Sequence, residues 1–377
     1  MFRLTTRLLI WKRRTVMESA EMEKVMAKKT TESKLVDFGE KVFRKVGMSA
    51  ADAHIAASVL SRNELRGVYS HGTTFYHGYS HLCLHGGADA EAVFETNQIG
   101  NIIFCNANRG VGVVSAYKGM RSAIAAARET GIGLAFVHGS THAAAMGYYA
   151  MMAAEEGMFG MAMSNGDPVM AVPGAKGKVI GNNPFAYAAP YQGEDYILFD
   201  IAMSAIAGAK VKSFEVEGKK LPKGWLIDQD GNATEDPVML RKGGSLLPFS
   251  MHKGYGFAIM VEILAGVLSG AGIIRDNVDW MQNPAFHNDI GQFLFALDIE
   301  HFMPMEKFRE RMLKMGVDLK SAECVGEAAI LLPGEIEMKA QREQEARGIS
   351  LNQMVYENLK RAAESTGLGL ELEQLFE

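Results

Sequence analysis

Apolar positions recur at helical spacing from Glu32 to Lys45, with Leu35, Phe38, Val42 and Phe43 on one face. Ser49-Ala50-Ala51-Asp52 has the form of a capping box and opens a second helix, with Ile55, Val59 and Leu60 apolar. A Ser70-His71-Gly72 turn follows the charged helix end Asn63 to Gly67, and a helix from Thr74 to Leu84 comes next. From about residue 100 the pattern alternates. Ile102–Cys105, Gly133–Val137 and Phe159–Ser164 read as strands, and Val113–Glu129 and Met146–Glu156 read as helices between them. Such alternation predicts an α/β layer on a mostly parallel sheet. Val179-Ile180, Phe185–Ala189 and Tyr196–Phe199 read as further short strands, and Lys219–Pro237 as a polar surface excursion. Gly254–Leu268 is apolar on all sides and reads as a buried helix. Phe293–Asp298 reads as a strand, and the helices Glu335–Arg347 and Leu351–Ser365 end the chain. No internal repeat or low-complexity segment is present.

Composition narrows the class. With 377 residues and 48% hydrophobic content, the chain can bury one large core or two moderate ones. The net charge of -5 gives no general attraction to nucleic acid or to an anionic membrane. No apolar run approaches the roughly 20 residues that span a bilayer. Cys83, Cys105 and Cys324 are scattered, without a Cys-x-x-Cys pair, which points to a reducing, cytoplasmic setting. Met1–Met17 carries Arg3, Arg7, Lys12, Arg13 and Arg14 and no acid. Residues 1–30 are expected to be a disordered basic tail; a transit peptide or a start codon upstream of Met17, Met22 or Met26 are the other readings.

Several short groupings carry candidate chemistry. Gly110-Val111-Gly112-Val113-Val114-Ser115 sits where a dinucleotide fingerprint would, but serine replaces the third glycine and no acid ends the next strand. It reads as a helix-capping turn. His138 and His142 have i, i+4 spacing, yet Gly139 and the missing glutamate of a zinc-protease motif argue for a loop. His77, His81 and His85 read as a solvated or packed helix face. A histidine in a turn or at a strand end suits proton transfer near neutral pH, which marks His71 and His142. Ser164-Asn165-Gly166 and Gly181-Asn182-Asn183-Pro184 are turns that can also present hydrogen-bond donors without bulk. Asp200 follows an apolar strand and is placed at a sheet edge, where α/β enzymes hold ligands. Lys253-Gly254 opens the apolar helix and can hold a phosphate or ribose edge.

The order of these groupings resembles the malate/L-lactate dehydrogenase family of nicotinamide-dependent oxidoreductases, across roughly residues 33–365. The resemblance rests on Glu64–Gly72, the loop around His142 with Gly147-Tyr148-Tyr149, and Met163-Ser164-Asn165. It extends through Gly181–Pro184, Asp200–Ser204, Pro222–Trp225 with Asp228, Lys253–Gly256 with Val261-Glu262, and Leu332–Glu335 with Arg347–Ile349. It implies a non-Rossmann nicotinamide-binding fold with a central mixed sheet and a helical N- and C-terminal domain. In that arrangement residues 31–100 form the helical start of the substrate and dimer domain, 101–270 the nicotinamide-binding domain, and 271–377 the return to the first. It also implies a homodimer and NAD or NADP as cofactor. The catalytic pair would be His142 and His71, with Ser70 and Phe75 in the substrate pocket. Cofactor contacts would come from Ser164, Asn165, Asn182, Asn183, Asp200, Ile201, Ala202, Lys253, Gly254, Pro333, Gly334 and Glu335.

The sequence departs from that family pattern at three places. Phe75 stands where the family has an arginine four residues after the histidine. Thr141-His142-Ala143-Ala144 replaces Asn-His-Phe-Gly, and Gly181-Asn182-Asn183-Pro184 replaces Gly-Thr-Asn-Pro. An arginine fork pairs a carboxylate in bidentate fashion; phenylalanine cannot. The leading expectation is reversible hydride transfer between a nicotinamide and a 2-hydroxy acid or related small hydroxy compound. The alternatives are a metal-dependent hydrolase or lyase built on His71, His138 and His142, and a cofactor-binding protein without dehydrogenase activity.

Overall fold

The computed structural model describes residues 28–376, so most of the expected basic tail lies outside the described residues. Helix α1 (Glu32–Lys45) starts on Thr31, whose hydroxyl accepts from the Lys34 N–H, and buries the face anticipated from its periodicity. Helix α2 (Ala50–Leu65) is capped by Ser49, whose Oγ accepts from the Asp52 N–H at 3.1 Å. A 3-10 turn over Tyr69–His71 leads into α3 (Phe75–His85).

The central sheet has seven strands among the described residues, in the order β1-β2-β3-β10-β4-β5-β6. These are β1 (Glu95–Ile99), β2 (Ile102–Asn106), β3 (Ile132–Ser140), β4 (Met158–Ser164), β5 (Phe185–Pro190), β6 (Tyr196–Ile201) and β10 (Ile290–Asp298). Helix α4 (Gly112–Thr130) joins β2 to β3, and α5 (Gly147–Glu155) joins β3 to β4. The expectation of a mostly parallel sheet is overturned, because only β2 and β3 pair in parallel. The alternation of strand and helix does make β2, β3 and β4 run the same way. However, β10 returns from far along the chain and inserts between β3 and β4, antiparallel to both. Beyond β4 the strands follow one another without a crossover helix, so β4, β5 and β6 form an antiparallel run.

Other expectations change in smaller ways. Val179-Ile180 is not a strand; Ile180 makes a single bridge with Met170. Helix α6 (Gly208–Val216) follows β6, and the polar excursion then hides a three-stranded sheet, β7 (Leu226–Ile227), β8 (Ala233–Thr234) and β9 (Ser245–Leu246). That sheet has only two residues per strand, too few to register as a pattern. Its core gathers Met170, Ile180, Met203, Leu226 and Leu246. The apolar helix α7 (His252–Val261) runs on as a π-turn over Glu262–Val267. It is buried on one side only: Phe257 is 47% and Val267 54% exposed, so its all-round apolarity marks an uncovered face.

Helix α8 (Met305–Lys320) was not anticipated and is largely exposed; α9 (Glu335–Arg347), α10 (Gln353–Thr366) and α11 (Gly369–Gln374) close the chain. Helix α10 packs on α3, and Asn358 Nδ2 donates to Thr74 Oγ1 at 2.7 Å, so the C-terminal segment braces the Ser-His-Gly turn. Among the described residues no helix is long and apolar enough to cross a membrane.

Candidate active site

The Ser70-His71-Gly72 turn is built over a buried carboxyl. Glu64, at the end of α2, accepts through Oε2 from the Thr73 N–H (3.0 Å) and the Thr73 hydroxyl (2.9 Å). Burial pushes its pKa up to about 7, against the pull of the two Thr73 bonds. Asn63 Nδ2 donates to the His71 carbonyl at 2.9 Å. Residue 72 has to be glycine, because a Cβ there would sit 2.4 Å from Glu64 Oε2. The turn thus fixes the His71 backbone from below, and Ser70 Oγ lies 2.8 Å from His71 Nδ1.

The loop after β3 carries His142. Its backbone rests on the first turn of α4: the Gly112 N–H donates to Thr141 Oγ1 at 2.9 Å. A Cβ on Gly112 would lie 2.1 Å from the Thr141 carbonyl oxygen and 2.3 Å from that of His142. Gly112 therefore serves close approach of the His142 loop, whereas Gly110 packs on Ala107 and Ala92. The loop is held further by Gln292 Nε2 on Ser140 Oγ (2.8 Å) and by the Tyr149 hydroxyl on the Ala143 carbonyl (2.8 Å). Ala144 takes φ +57°, a left-handed conformation that favours glycine.

Folding brings the two histidines together, with ring centroids 5.8 Å apart. The Tyr79 hydroxyl lies 2.9 Å from His142 Nδ1. Trp280 stacks on the His142 ring at 5.1 Å and 22°. Phe75 stands edge-on to both imidazoles, 5.7 Å from His71 and 5.2 Å from His142. Burial lowers the His71 pKa to about 4. Burial, and then the neighbouring His71, lower that of His142 to about 3. Both rings are therefore neutral at physiological pH. Tyr79 and Trp280 were not marked from sequence. Tyr79 lies in an ordinary helical register, and Trp280 sits in an irregular loop where no periodicity points to it.

The residues expected to hold a cofactor fall mostly at the same end of the sheet. Register places them: β10 pairs Gln292 with Ser164 and Ile290 with Ser140, Met163 faces Phe185, and Phe185 faces Ile201. The end of β3 leading to His142, the end of β4 at Ser164, the start of β5 after Asn183, and the end of β6 at Asp200-Ile201-Ala202 thus form one rim. Asp200 lies on the edge strand and accepts from the Gly147 N–H, the first of α5, at 2.8 Å. Packing around its carboxyl pushes the pKa up to about 6, against that hydrogen bond.

Two of the asparagines turn inward. Asn165 Nδ2 donates to Glu262 Oε1 (3.1 Å) and the Gly272 carbonyl (2.8 Å), and Asn183 Nδ2 donates to Glu262 Oε2 (2.7 Å) and the Ala258 carbonyl (2.9 Å). Their amides pin α7 under the rim through the buried Glu262. Asn182 contributes its carbonyl to the Met203 N–H at 2.7 Å. The Ser164 hydroxyl donates to the Asn165 and Gly291 carbonyls, 2.9 and 3.1 Å away. Lys253 is exposed on the first turn of α7. A Cβ on the adjacent Gly254 would lie 2.7 Å from the Phe249 carbonyl oxygen. The turn Pro333-Gly334-Glu335 stands apart from the rim, beside the middle of β6: the Pro333 carbonyl accepts from Leu198 at 3.0 Å, two residues or ~7 Å of strand before Asp200. Glu335 pairs with Lys320 and accepts from the Leu332 N–H at 3.0 Å.

A metal centre at His71, His138 and His142 is not formed. His138 lies on β3 opposite Asn106, and no three His, Cys, Asp or Glu side chains among the described residues gather as a metal requires. A strand end running into a loop, unlike a helix, does not put i and i+4 on one face.

Comparison with known proteins agrees with the geometry. Residues 30–360 match the family model described as malate/L-lactate dehydrogenase. Malate dehydrogenase of Pyrococcus horikoshii is 34% identical over 345 residues, covering 89% of this chain and 94% of the relative. Malate/(S)-sulfolactate dehydrogenase of Methanothermus fervidus is 33% identical, covering 88% and 96%. The solved sulfolactate dehydrogenase of Methanocaldococcus jannaschii superposes with a TM-score of 0.84 at 28% identity, over 93% of this chain and all of that one (100%).

Proposed function

The chain belongs to the malate/L-lactate dehydrogenase family, and from that premise we propose that it reversibly moves a hydride between a nicotinamide and the hydroxyl-bearing carbon of a 2-hydroxy acid or related hydroxy compound. The observation that carries this reading is the pair of neutral imidazoles, 5.8 Å apart, at the rim where four strand ends meet. The rim fits an extended dinucleotide. Small or polar residues, Ser164, Asn182, Asp200 and Ala202, end the strands there without bulk, and Lys253 offers a positive charge nearby.

When bound, the nicotinamide supplies the hydride acceptor or donor. The protein supplies position and a place for the proton. In oxidation, His142 Nε2 takes the hydroxyl proton, and the Tyr79 hydroxyl, 2.9 Å from Nδ1, holds the ring in position. His71, steadied by Ser70, polarises the same substrate oxygen. Asp200 anchors the N-terminus of α5 and so keeps the His142 loop against the rim. The uncovered apolar face of α7 supports a homodimer, and the free thiols Cys83, Cys105 and Cys324 support a cytoplasmic setting.

The test is oxidation of NADH and NADPH against a panel of 2-oxo acids and neutral carbonyl compounds, with His142→Ala beside the parent. Turnover should fall by roughly 10²–10⁴-fold while cofactor binding persists. Unchanged turnover with the best substrate would remove His142 from its role.

A further inference from the structure

The two imidazoles are enclosed by rings. Phe75, Tyr79 and Trp280 pack on one another at centroid distances of 5.4 Å (Phe75–Tyr79), 5.5 Å (Phe75–Trp280) and 5.8 Å (Tyr79–Trp280). All three are buried, whereas His71 and His142 keep part of their surface open. The wall is seated firmly. Trp280 lies over Gly78 of α3, where even a Cβ would come within 3.1 Å of the indole. Tyr79 holds His142 through its hydroxyl. Among the described residues, the ring and hydrogen-bond contacts of the His71 and His142 side chains are with each other and with Ser70, Phe75, Tyr79 and Trp280.

A carboxylate on the reacting carbon would enter this corner beside two neutral imidazoles and the Phe75 ring, none of which carries a charge to pair it. A buried anion without a partner is strongly disfavoured, while a flat uncharged group gains dispersion and apolar burial against the same walls. We propose that the substrate subsite beside His71 and His142 is selective for an uncharged, apolar substituent, preferably aromatic, where a carboxylate would otherwise sit. The proposal rests on the dehydrogenase reading and narrows its substrate class to neutral carbonyl and alcohol compounds. The reduction remains balanced: the carbonyl carbon gains hydride from the reduced nicotinamide, the oxygen gains one proton by way of His142, and the products are the alcohol and oxidised nicotinamide.

Matched acid and ester pairs test it. With the better of NADH and NADPH, kcat/KM is measured for pyruvate against methyl pyruvate, and for benzoylformate against methyl benzoylformate. The ester should lead in each pair by roughly 10-fold or more, and the phenyl pair should exceed the methyl pair. Phe75→Arg should reverse the preference, moving the acid-to-ester ratio by roughly 10²-fold. A second readout needs no turnover: titration calorimetry of the cofactor-bound protein with oxamate and with ethyl oxamate, on the parent and on Phe75→Leu. Ethyl oxamate should bind more tightly to both, so the test stands even where Phe75→Arg fails to fold. Acids equal to or better than esters, oxamate binding as tightly as its ester, or a Phe75→Arg ratio unchanged would each overturn the proposal. Cofactor binding with no turnover of either member of any pair would also overturn it. Failure of both NADH and NADPH to bind would instead strike the dehydrogenase reading.

Discussion

Gly112→Ala isolates the link between the α4 turn and catalysis. The added Cβ would meet the Thr141 and His142 carbonyl oxygens at 2.1 and 2.3 Å. A carbon and a carbonyl oxygen rest no closer than ~3.3 Å, so the His142 loop has to retreat by about 1 Å. Both clashing atoms are backbone, so no side chain can swing away. Forced repacking of this kind costs about 1–3 kcal/mol, and a reacting group displaced by ~1 Å loses about 10²-fold in rate. The loop would also weaken its bond from the Gly112 N–H to Thr141 Oγ1. Urea unfolding reads the first effect; NAD(P)H-linked turnover reads the second. The KM for cofactor should hold, since the rim at Ser164 and Asp200 is untouched. Gly256→Ala on α7, where a Cβ meets nothing within 4 Å, is the control and should gain about 0.5–1 kcal/mol. A Gly112→Ala protein within about 0.5 kcal/mol and threefold of the parent would refute the reasoning.

Three further outcomes follow from the same geometry. Ala144→Gly removes the left-handed alanine at φ +57° and should raise stability by about 1 kcal/mol in thermal or urea unfolding; a loss would show that the loop is not strained there. Asn183→Ala leaves Glu262 Oε2 without its 2.7 Å donor and should cost about 3 kcal/mol, against less than half that for an exposed asparagine such as Asn97. The buried Glu64 carboxyl titrates near 7 in the fold but near 4.5 when unfolded, so its favourable share is full below pH 4.5 and is lost as pH rises through 7. Glu64→Gln escapes that loss, and its urea midpoint should gain on the parent between pH 5 and pH 8; a pH-independent difference would count against a neutral Glu64.

How much of this was legible in the chain depends on how local each cause is. Helix α1 matches its expected bounds because its cap, Thr31, and its apolar stripe are written within 14 residues. The rim was legible only through the order of short motifs, since Ser164, Asn183 and Asp200 meet by strand pairing and not by spacing. Strand β1 left no trace because every residue from Glu95 to Ile99 is exposed, so no alternation marks it. Trp280 escaped notice because its neighbour, His142, lies far away in sequence. The α7 helix misled for a physical reason: uniform apolarity looks the same whether the second face meets the core or stands open. The insertion of β10 was invisible, as its partners are chosen by long-range pairing.

That late insertion bears on how the polypeptide matures during synthesis. Until residues 290–298 leave the ribosome, β3 and β4 have no neighbour between them, and the bond from Gly139 to Asp289, spanning 150 positions, cannot close. While residues 165–289 are being added, the nascent chain carries two unfinished sheet margins exposed to wrong pairing. Assembly of the histidine corner is thereby deferred to the final stage of elongation, and any fragment ending before residue 290 would be inert and prone to aggregate.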